Sequence, residues 1–323
     1  MKIVITGYEQ EQPTLGYYTV DSKVGYKQIA QKELASPSFI VKDHSSLFTF
    51  QTNNETSLLS MMIEDNELVE KDKITILGGK PTHLVYSTKN KLLLGCSYTD
   101  GTIFSVGCTN GKFETLITYK KQVTTAIKSH CHCVLLNNNE TILAVINIAT
   151  DQVFFYQIDE GILKEGKVLQ LPLNIGPRHG IYNEDCSLLY IVTEYSNEVV
   201  VIQMPSFTIL QRTSTIPHYN NTSYGATLVF SLDYQYLYVS NRGEDAIAKF
   251  KVLSDGLLEY DHSFSCGGAH PRHMILSRDG DYIISCNKNS NHVAIIDLAT
   301  EEVVLKIPFL SPSGVVEVEE NSW

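Results

Sequence analysis

Short apolar runs alternate with polar turns along the whole chain, and one such unit recurs. The segments SLFTFQTNNETS, LLLGCSYTDGTI, ILAVINIATDQV, LLYIVTEYSNEV, YLYVSNRGEDAI and YIISCNKNSNHV superimpose as copies of a single pattern. Anchored on Leu47, Leu93, Leu143, Leu189, Leu237 and Ile283, they are spaced by 46, 50, 46, 48 and 46 residues, and Ile3 of KIVITGYE stands 44 before Leu47. Self-similarity at this period marks an array in which each unit buries its apolar faces against its neighbours. Seven anchors predict seven units.

Within each unit the alternation has period two and the runs are rich in Val, Ile, Leu and Tyr, which argues for strands rather than helices. A strand precedes each anchor, and in five units proline opens it: Pro37, Pro81, Pro177, Pro271 and Pro312. Proline is tolerated there because a first strand residue has no ladder hydrogen bond to lose. A third strand (VVVIQM, VAIIDL, IAKFKV) and a fourth (KVLQLP, EVVLKI, TILQRT) follow. Four antiparallel strands per unit predict an all-β, seven-bladed β-propeller. The last unit supplies only an opening strand near Val315 to Val318 and the first lacks one, so pairing of the terminal strands is expected to close the ring, making residues 1–323 one domain.

Composition narrows what such a ring can bind. Of 323 residues 43% are hydrophobic and 19% charged, enough apolar material for a large core. The formal charge of −11 disfavours nucleic acid and anionic membrane as partners, and no apolar run approaches a membrane span. The N-terminus enters a strand-like run without a signal-peptide pattern. Cys96, Cys108, Cys131, Cys133, Cys186, Cys266 and Cys286 are odd in number and show no disulfide-framework spacing. Reduced thiols and a cytoplasmic location are the expectation.

In a four-stranded meander the loop entering the first strand and the turn between the second and third lie on one face, so residues in those two phases meet at one mouth of the central channel. Eleven residues before the anchors stand Thr82, His132, Arg178, Ala226 and Arg272. Four and five residues after them stand Ser97-Tyr98, Asn147-Ile148, Thr193-Glu194, Asn241-Arg242 and Asn287-Lys288. A mouth carrying His132, Arg178, Glu194, Arg242, Arg272 and Lys288 is locally basic on an acidic protein, which suits a small anion held by arginine forks, with His or Glu to move protons. The bland reading has equal weight at this point: repeats reuse Asn and Arg in turns simply to tie blades together.

Other groupings carry less. In Ser129-His130-Cys131-His132-Cys133 strand alternation would send both histidines to one face and both cysteines to the other, so the string does not read as a zinc site. His83, His179 and His273 fall one position after the channel phase and read as packing residues. Gly78-Gly79 and Gly267-Gly268 precede opening strands, where tight turns are expected, and neither begins a phosphate-binding loop before a helix.

Three stretches, GPRHGIYNEDCSLLYIVTEYSNEVVVI at 176–202, YVSNRGEDAIAKFKV at 238–252 and GGAHPRHMILSRDGDYIISCNKNSNHVAIIDL at 267–298, resemble the lactonase family of seven-bladed propellers, typified by the bacterial propeller-type 6-phosphogluconolactonases and related to carboxy-cis,cis-muconate cyclases. Weaker echoes lie at 78–101 and in His130-Cys131-His132, so the likeness covers most of the chain. The resemblance implies hydrolysis of a small anionic sugar lactone, 6-phosphogluconolactone first, with His132, Arg178, Glu194 and Arg242 as the catalytic set and Arg272 at the later Pro-Arg motif. Lys288, His130 and Tyr98 join Arg272 as expected substrate-binding residues, and no metal or other cofactor is called for. The chain departs from the family pattern at Asn147-Ile148-Ala149 and Thr193-Glu194-Tyr195. Two readings compete with this one: a non-catalytic binding platform, and a lactonase or cyclase acting on another carboxylated ring.

Overall fold

The computed structural model describes residues 1–9, 14–76, 79–119 and 128–319. Among them are seven four-stranded antiparallel sheets. Six consist of consecutive strands, spanning 40–76, 81–119, 131–170, 177–214, 224–265 and 271–308. The remaining sheet is composite, with Pro312–Val318 beside Lys2–Gly7, followed by Leu15–Asp21 and Gly25–Lys32. Lys2 lies opposite Val318 and Ile5 opposite Val315, so the terminal strands close the ring as the repeat count requires.

The opening strand of each blade touches that of the next around the full circle, leaving no sheet edge exposed at a break in the ring. Seven apolar clusters fill the spaces between neighbouring blades. One joins Ile146 and Val153 to Ile191 and Val200 of the following blade; another joins Ile3 and Ile5 of the first blade to Ile284 and Ile295 of the last. Burying both faces explains why the second and third strands of a blade read as continuous apolar runs.

Pro81, Pro177, Pro271 and Pro312 each occupy the first position of a strand. Pro37 is the exception, since its blade opens only at Ile40–Lys42. There the Thr49 hydroxyl donates to the Phe39 carbonyl at 2.7 Å, Thr52 N–H donates to the Ala35 carbonyl at 2.8 Å, and Ser36 sits at a φ of 49°. Gly267 has a φ of 80° and lies where a side chain would strike Val303 and Ala294, the tight passage expected before an opening strand. Gly78 lies outside the described residues.

All seven cysteines are free thiols, six of them buried. Thiol titration of the denatured protein, with no reductant added, is therefore expected to find seven reactive groups; a smaller number would mean that oxidation pairs some of them.

Candidate functional site

The opening strands do not run straight into the channel. The ladder to the second strand slips between Pro81 and His83, Cys131 and Cys133, Pro177 and His179, Gly225 and Leu228, and Pro271 and His273. Each slip is a β-bulge, a device that inserts a residue and re-aims side chains. The residues caught in the bulges are Thr82, His132, Arg178, Ala226 and Arg272, the phase singled out eleven residues before the anchors. The bulge also overturns simple alternation at 131–133. Cys131 packs with Leu94 and Cys96 on one face of its blade and Cys133 with Ile146 and Ile191 on the other, so the two cysteines are parted rather than paired.

A second repeated bond holds the other phase. Five residues after the anchor, a backbone N–H donates to the carbonyl of the residue just before the opening strand: Tyr98 to Lys80 at 3.1 Å, Ile148 to His130 at 3.0 Å, Glu194 to Gly176 at 2.7 Å and Lys288 to His270 at 3.1 Å. Gly176 has a φ of 62° and packs so closely on the Tyr195 ring that no Cβ fits. The neighbouring polar residues have a different use. Asn147, Thr193, Asn241 and Asn287 are wholly buried. Asn241 Nδ2 donates to the Thr215 carbonyl at 3.0 Å and Asn287 Nδ2 to the Cys266 carbonyl at 2.8 Å, each in the connector from the preceding blade, whereas Thr193 braces its own turn, its hydroxyl accepting from Glu198 N–H at 2.9 Å. Tying one blade to the next thus describes Asn241 and Asn287 at the fourth position after the anchor, and not Thr193.

The two phases converge on an open-mouthed cavity of about 270 Å³ whose lining includes Tyr98, His132, Glu194, Arg242 and Arg272. Arg178 lies deeper, 1% exposed. A single Glu194 oxygen, Oε2, stands 3.1 Å from Arg178 Nε and 2.9 Å from Arg242 Nη2. Arg178 also donates through Nη1 to the Ala226 carbonyl, and Arg242 through Nη2 to the Gly225 carbonyl at 2.9 Å. Burial and the Arg242 and Arg272 charges act against the Arg178 proton, but guanidinium groups keep their protons in proteins. Arg178 is therefore a buried cation whose counter-charge is Glu194. Burial raises the Glu194 pKa, yet Arg178, Arg242 and Arg272 together outweigh it and hold the carboxyl below its ordinary range.

His132 is buried, and its pKa lies well below the ordinary value of 6.5, first through desolvation and then through the Arg178, Arg272 and Arg242 charges. Its Nδ1 has no hydrogen-bond partner among the described residues. Two expected substrate-binding residues, His130 and Lys288, are not in the cavity lining, but each packs on a tyrosine that is. The His130 ring stacks on Tyr98 at 4.6 Å and hydrogen-bonds the Tyr98 carbonyl, so it supports that tyrosine. Lys288 lies at the start of a short 3₁₀ turn, its Nζ 5.1 Å from the Tyr8 ring centre. Tyr8, Lys80 and Thr52 line the cavity and were not singled out from the sequence. Tyr8 and Thr52 stand five residues after Ile3 and Leu47, so the phase that found Glu194 and Arg242 reaches them once the first two repeats are included.

Within the channel, His83 meets His179 at 5.2 Å and Phe39 at 4.3 Å, His273 meets Phe39 at 5.2 Å, and His132 meets His179 at 5.2 Å. Donor atoms of His83, Cys133 and His179 lie within 4.8 Å of one another. Burial lowers the imidazole pKa values, that of His83 to about 3, and pushes the Cys133 thiol up to about 12. The Arg178 charge acts on all three donors, and a divalent cation would face the same field. We read them as neutral packing groups; exhaustive dialysis against EDTA is expected to leave activity unchanged, and a loss reversed by added zinc would show that they hold an ion.

The family described as "Lactonase, 7-bladed beta-propeller" matches residues 2–307. The chain is 29% identical over 279 residues to an uncharacterized protein of Staphylococcus epidermidis, covering 79% of each chain. It is 23% identical over 304 residues to a 6-phosphogluconolactonase of Bacillus subtilis, covering 87% of each. Among solved structures, the periplasmic gluconolactonase of Pseudomonas aeruginosa superimposes with a TM-score of 0.89 at 21% identity, over 98% of this chain and 99% of that one.

Proposed function

Because the chain belongs to the seven-bladed β-propeller lactonase family, we propose that it hydrolyses a small anionic sugar lactone, 6-phosphogluconolactone being the first candidate. The observation that carries this reading is the Arg178–Glu194–Arg242 cluster, of which Glu194 and Arg242 line the cavity, with a neutral His132 in the same lining. The curated Bacillus subtilis relative bears the same activity in its name.

Hydrolysis of a lactone needs a water to attack the carbonyl carbon, a base to take its proton and donors for the oxyanion that forms. In the proposed scheme His132 is the base, since its imidazole is unprotonated at neutral pH, whereas two guanidiniums already claim the Glu194 carboxylate. Arg242, which lines the cavity with Arg178 behind it, faces the oxyanion. As the tetrahedral intermediate collapses, the ring C–O bond breaks and the His132 proton passes to the departing alkoxide, leaving a hydroxy acid. Glu194 keeps both arginines in place and limits their mutual repulsion. The buried free thiols suit a reducing compartment such as the cytoplasm.

The deciding experiment is a hydrolysis assay on freshly made 6-phosphogluconolactone, glucono-1,5-lactone and a carboxylated muconolactone, each corrected for spontaneous opening. Preference for the phosphorylated sugar supports the reading, preference for the muconolactone moves the enzyme to another ring, and no turnover of any returns the propeller to a binding platform.

A further inference from the structure

The blade formed by both chain ends brings Tyr8 to the cavity beside two cations. Tyr8 follows the strand Lys2–Gly7, and its ring centre lies 4.9 Å from the Arg272 guanidinium and 5.1 Å from Lys288 Nζ. Both distances fall within cation–π range. The Tyr8 backbone is fixed from two sides: its N–H donates to the Ser311 carbonyl at 3.2 Å, the same bond that holds Glu194, and its own carbonyl accepts from the Ser36 hydroxyl at 2.7 Å. Gly7 beside it packs against the Leu310 carbonyl so tightly that a Cβ would lie 2.6 Å from that oxygen.

Two cations sharing one ring repel each other, and the ring's negative face offsets only part of that repulsion. Among the described charged residues lining the cavity, Lys80, Arg242 and Arg272 stand against Glu194 alone, and Glu194 is already committed to Arg178 and Arg242. The local field is strong enough that His270, beside this pair, is lowered to about 4 by burial and by the Arg242, Arg272 and Lys288 charges. Arg272 and Lys288 thus await an anion.

We infer that the seam between the last and first repeats is an anion-binding subsite, in which Tyr8 positions Arg272 and Lys288 to hold a phosphate or carboxylate carried by the substrate away from its reacting carbonyl. Tyr8 is a positioning residue, acting through the two cations. Its place in turnover rests on the lactonase reading above, but anion binding does not. Tyr8 comes from the first repeat and both cations from the last, so ring closure assembles the subsite, whereas Glu194, Arg178 and Arg242 come from within consecutive blades.

The test measures binding of inorganic phosphate by calorimetry to the parent protein and to Tyr8→Phe, Tyr8→Leu and Arg272→Gln, each checked for folding by thermal melt. Tyr8→Phe keeps the ring face and is expected to bind like the parent; Tyr8→Leu and Arg272→Gln should each weaken phosphate on the order of tenfold. With a phosphorylated lactone, Tyr8→Leu should raise KM by a larger factor than with glucono-1,5-lactone, with little change in kcat for the phosphorylated substrate. Equal phosphate binding by the parent and Tyr8→Leu overturns the inference even if lactones are hydrolysed. Loss in both Tyr8→Phe and Tyr8→Leu would assign the effect to the hydroxyl and overturn the cation–π account. If no lactone is turned over, the phosphate measurements decide the subsite by themselves.

Discussion

Glu194→Gln is expected to cost about 3–5 kcal/mol of folding stability and to lower kcat/KM on the order of a hundredfold or more. The substitution is nearly isosteric, so it isolates charge. In the parent, one carboxylate oxygen faces both Arg178 and Arg242, and Arg178 is almost completely buried. A neutral amide leaves that guanidinium without a counter-ion in a poorly solvated channel, where an unpaired charge is far more costly than the pair itself was stabilising. Turnover falls as well, because arginines that repel each other no longer face the oxyanion in fixed geometry. The stability and catalytic effects separate in a double variant. Arg178→Met/Glu194→Gln removes the orphaned charge and should recover part of the lost stability in urea unfolding while remaining inactive. If Glu194→Gln unfolds at the parent's urea midpoint, the ion-pair cluster is energetically idle and its place in the mechanism falls with it.

Much of this site was legible because repeats convert sequence distance into spatial phase. The positions eleven before and five after an anchor gave His132, Arg178, Glu194, Arg242 and Arg272 before any coordinates, since a propeller brings equivalent positions of its blades to one mouth. Tyr8 was equally accessible by this rule. The first repeat begins at its second strand, so no position eleven before Ile3 exists to mark the site there, and the partner strand comes from the far end of the chain. The bulges were less accessible. Pro177-Arg178-His179 and Cys131-His132-Cys133 carry no residue that announces a slip in register. Without the slip, period-two alternation puts Cys131 and Cys133 on one face, whereas the folded chain sends them into different interblade cores. Pro37 misled for a related reason. It matches the prolines that open other blades, but its blade opens late, with the Thr49 hydroxyl bonding the Phe39 carbonyl. Opposite charges at the mouth were visible as residue types; that a single Glu194 oxygen serves two arginines depends on side-chain geometry, which no spacing reveals.

Acid should destabilise this protein at a higher pH than its carboxylates alone would dictate. His83, His132, His179 and His273 all lie in the channel with pKa values pushed down by burial and by the Arg178 charge, His83 and His273 to about 3. In the unfolded chain the same groups titrate near their ordinary 6.5. At pH 7.5 neither state binds these protons and the difference is silent. As pH falls below 6.5 the unfolded state takes them up while the folded state does not, so stability declines by about 1.4 kcal/mol per pH unit for each such group. The loss continues until the folded pKa is reached. Glu194, itself held low, adds to the decline only below the ordinary carboxylate range. These four histidines and His270, itself lowered to about 4, would together remove several kcal/mol by pH 5.5, a large share of the stability of an ordinary domain. Urea unfolding at pH 7.5, 6.5 and 5.5 measures the slope. His273→Gln, which removes one titrating ring, should flatten it by about one proton in five even if the variant is less stable at pH 7.5. A parent whose stability is level from pH 7.5 to 5.5 would mean that the channel histidines accept protons in the folded state, and His132 could then no longer be treated as a base kept neutral by its surroundings.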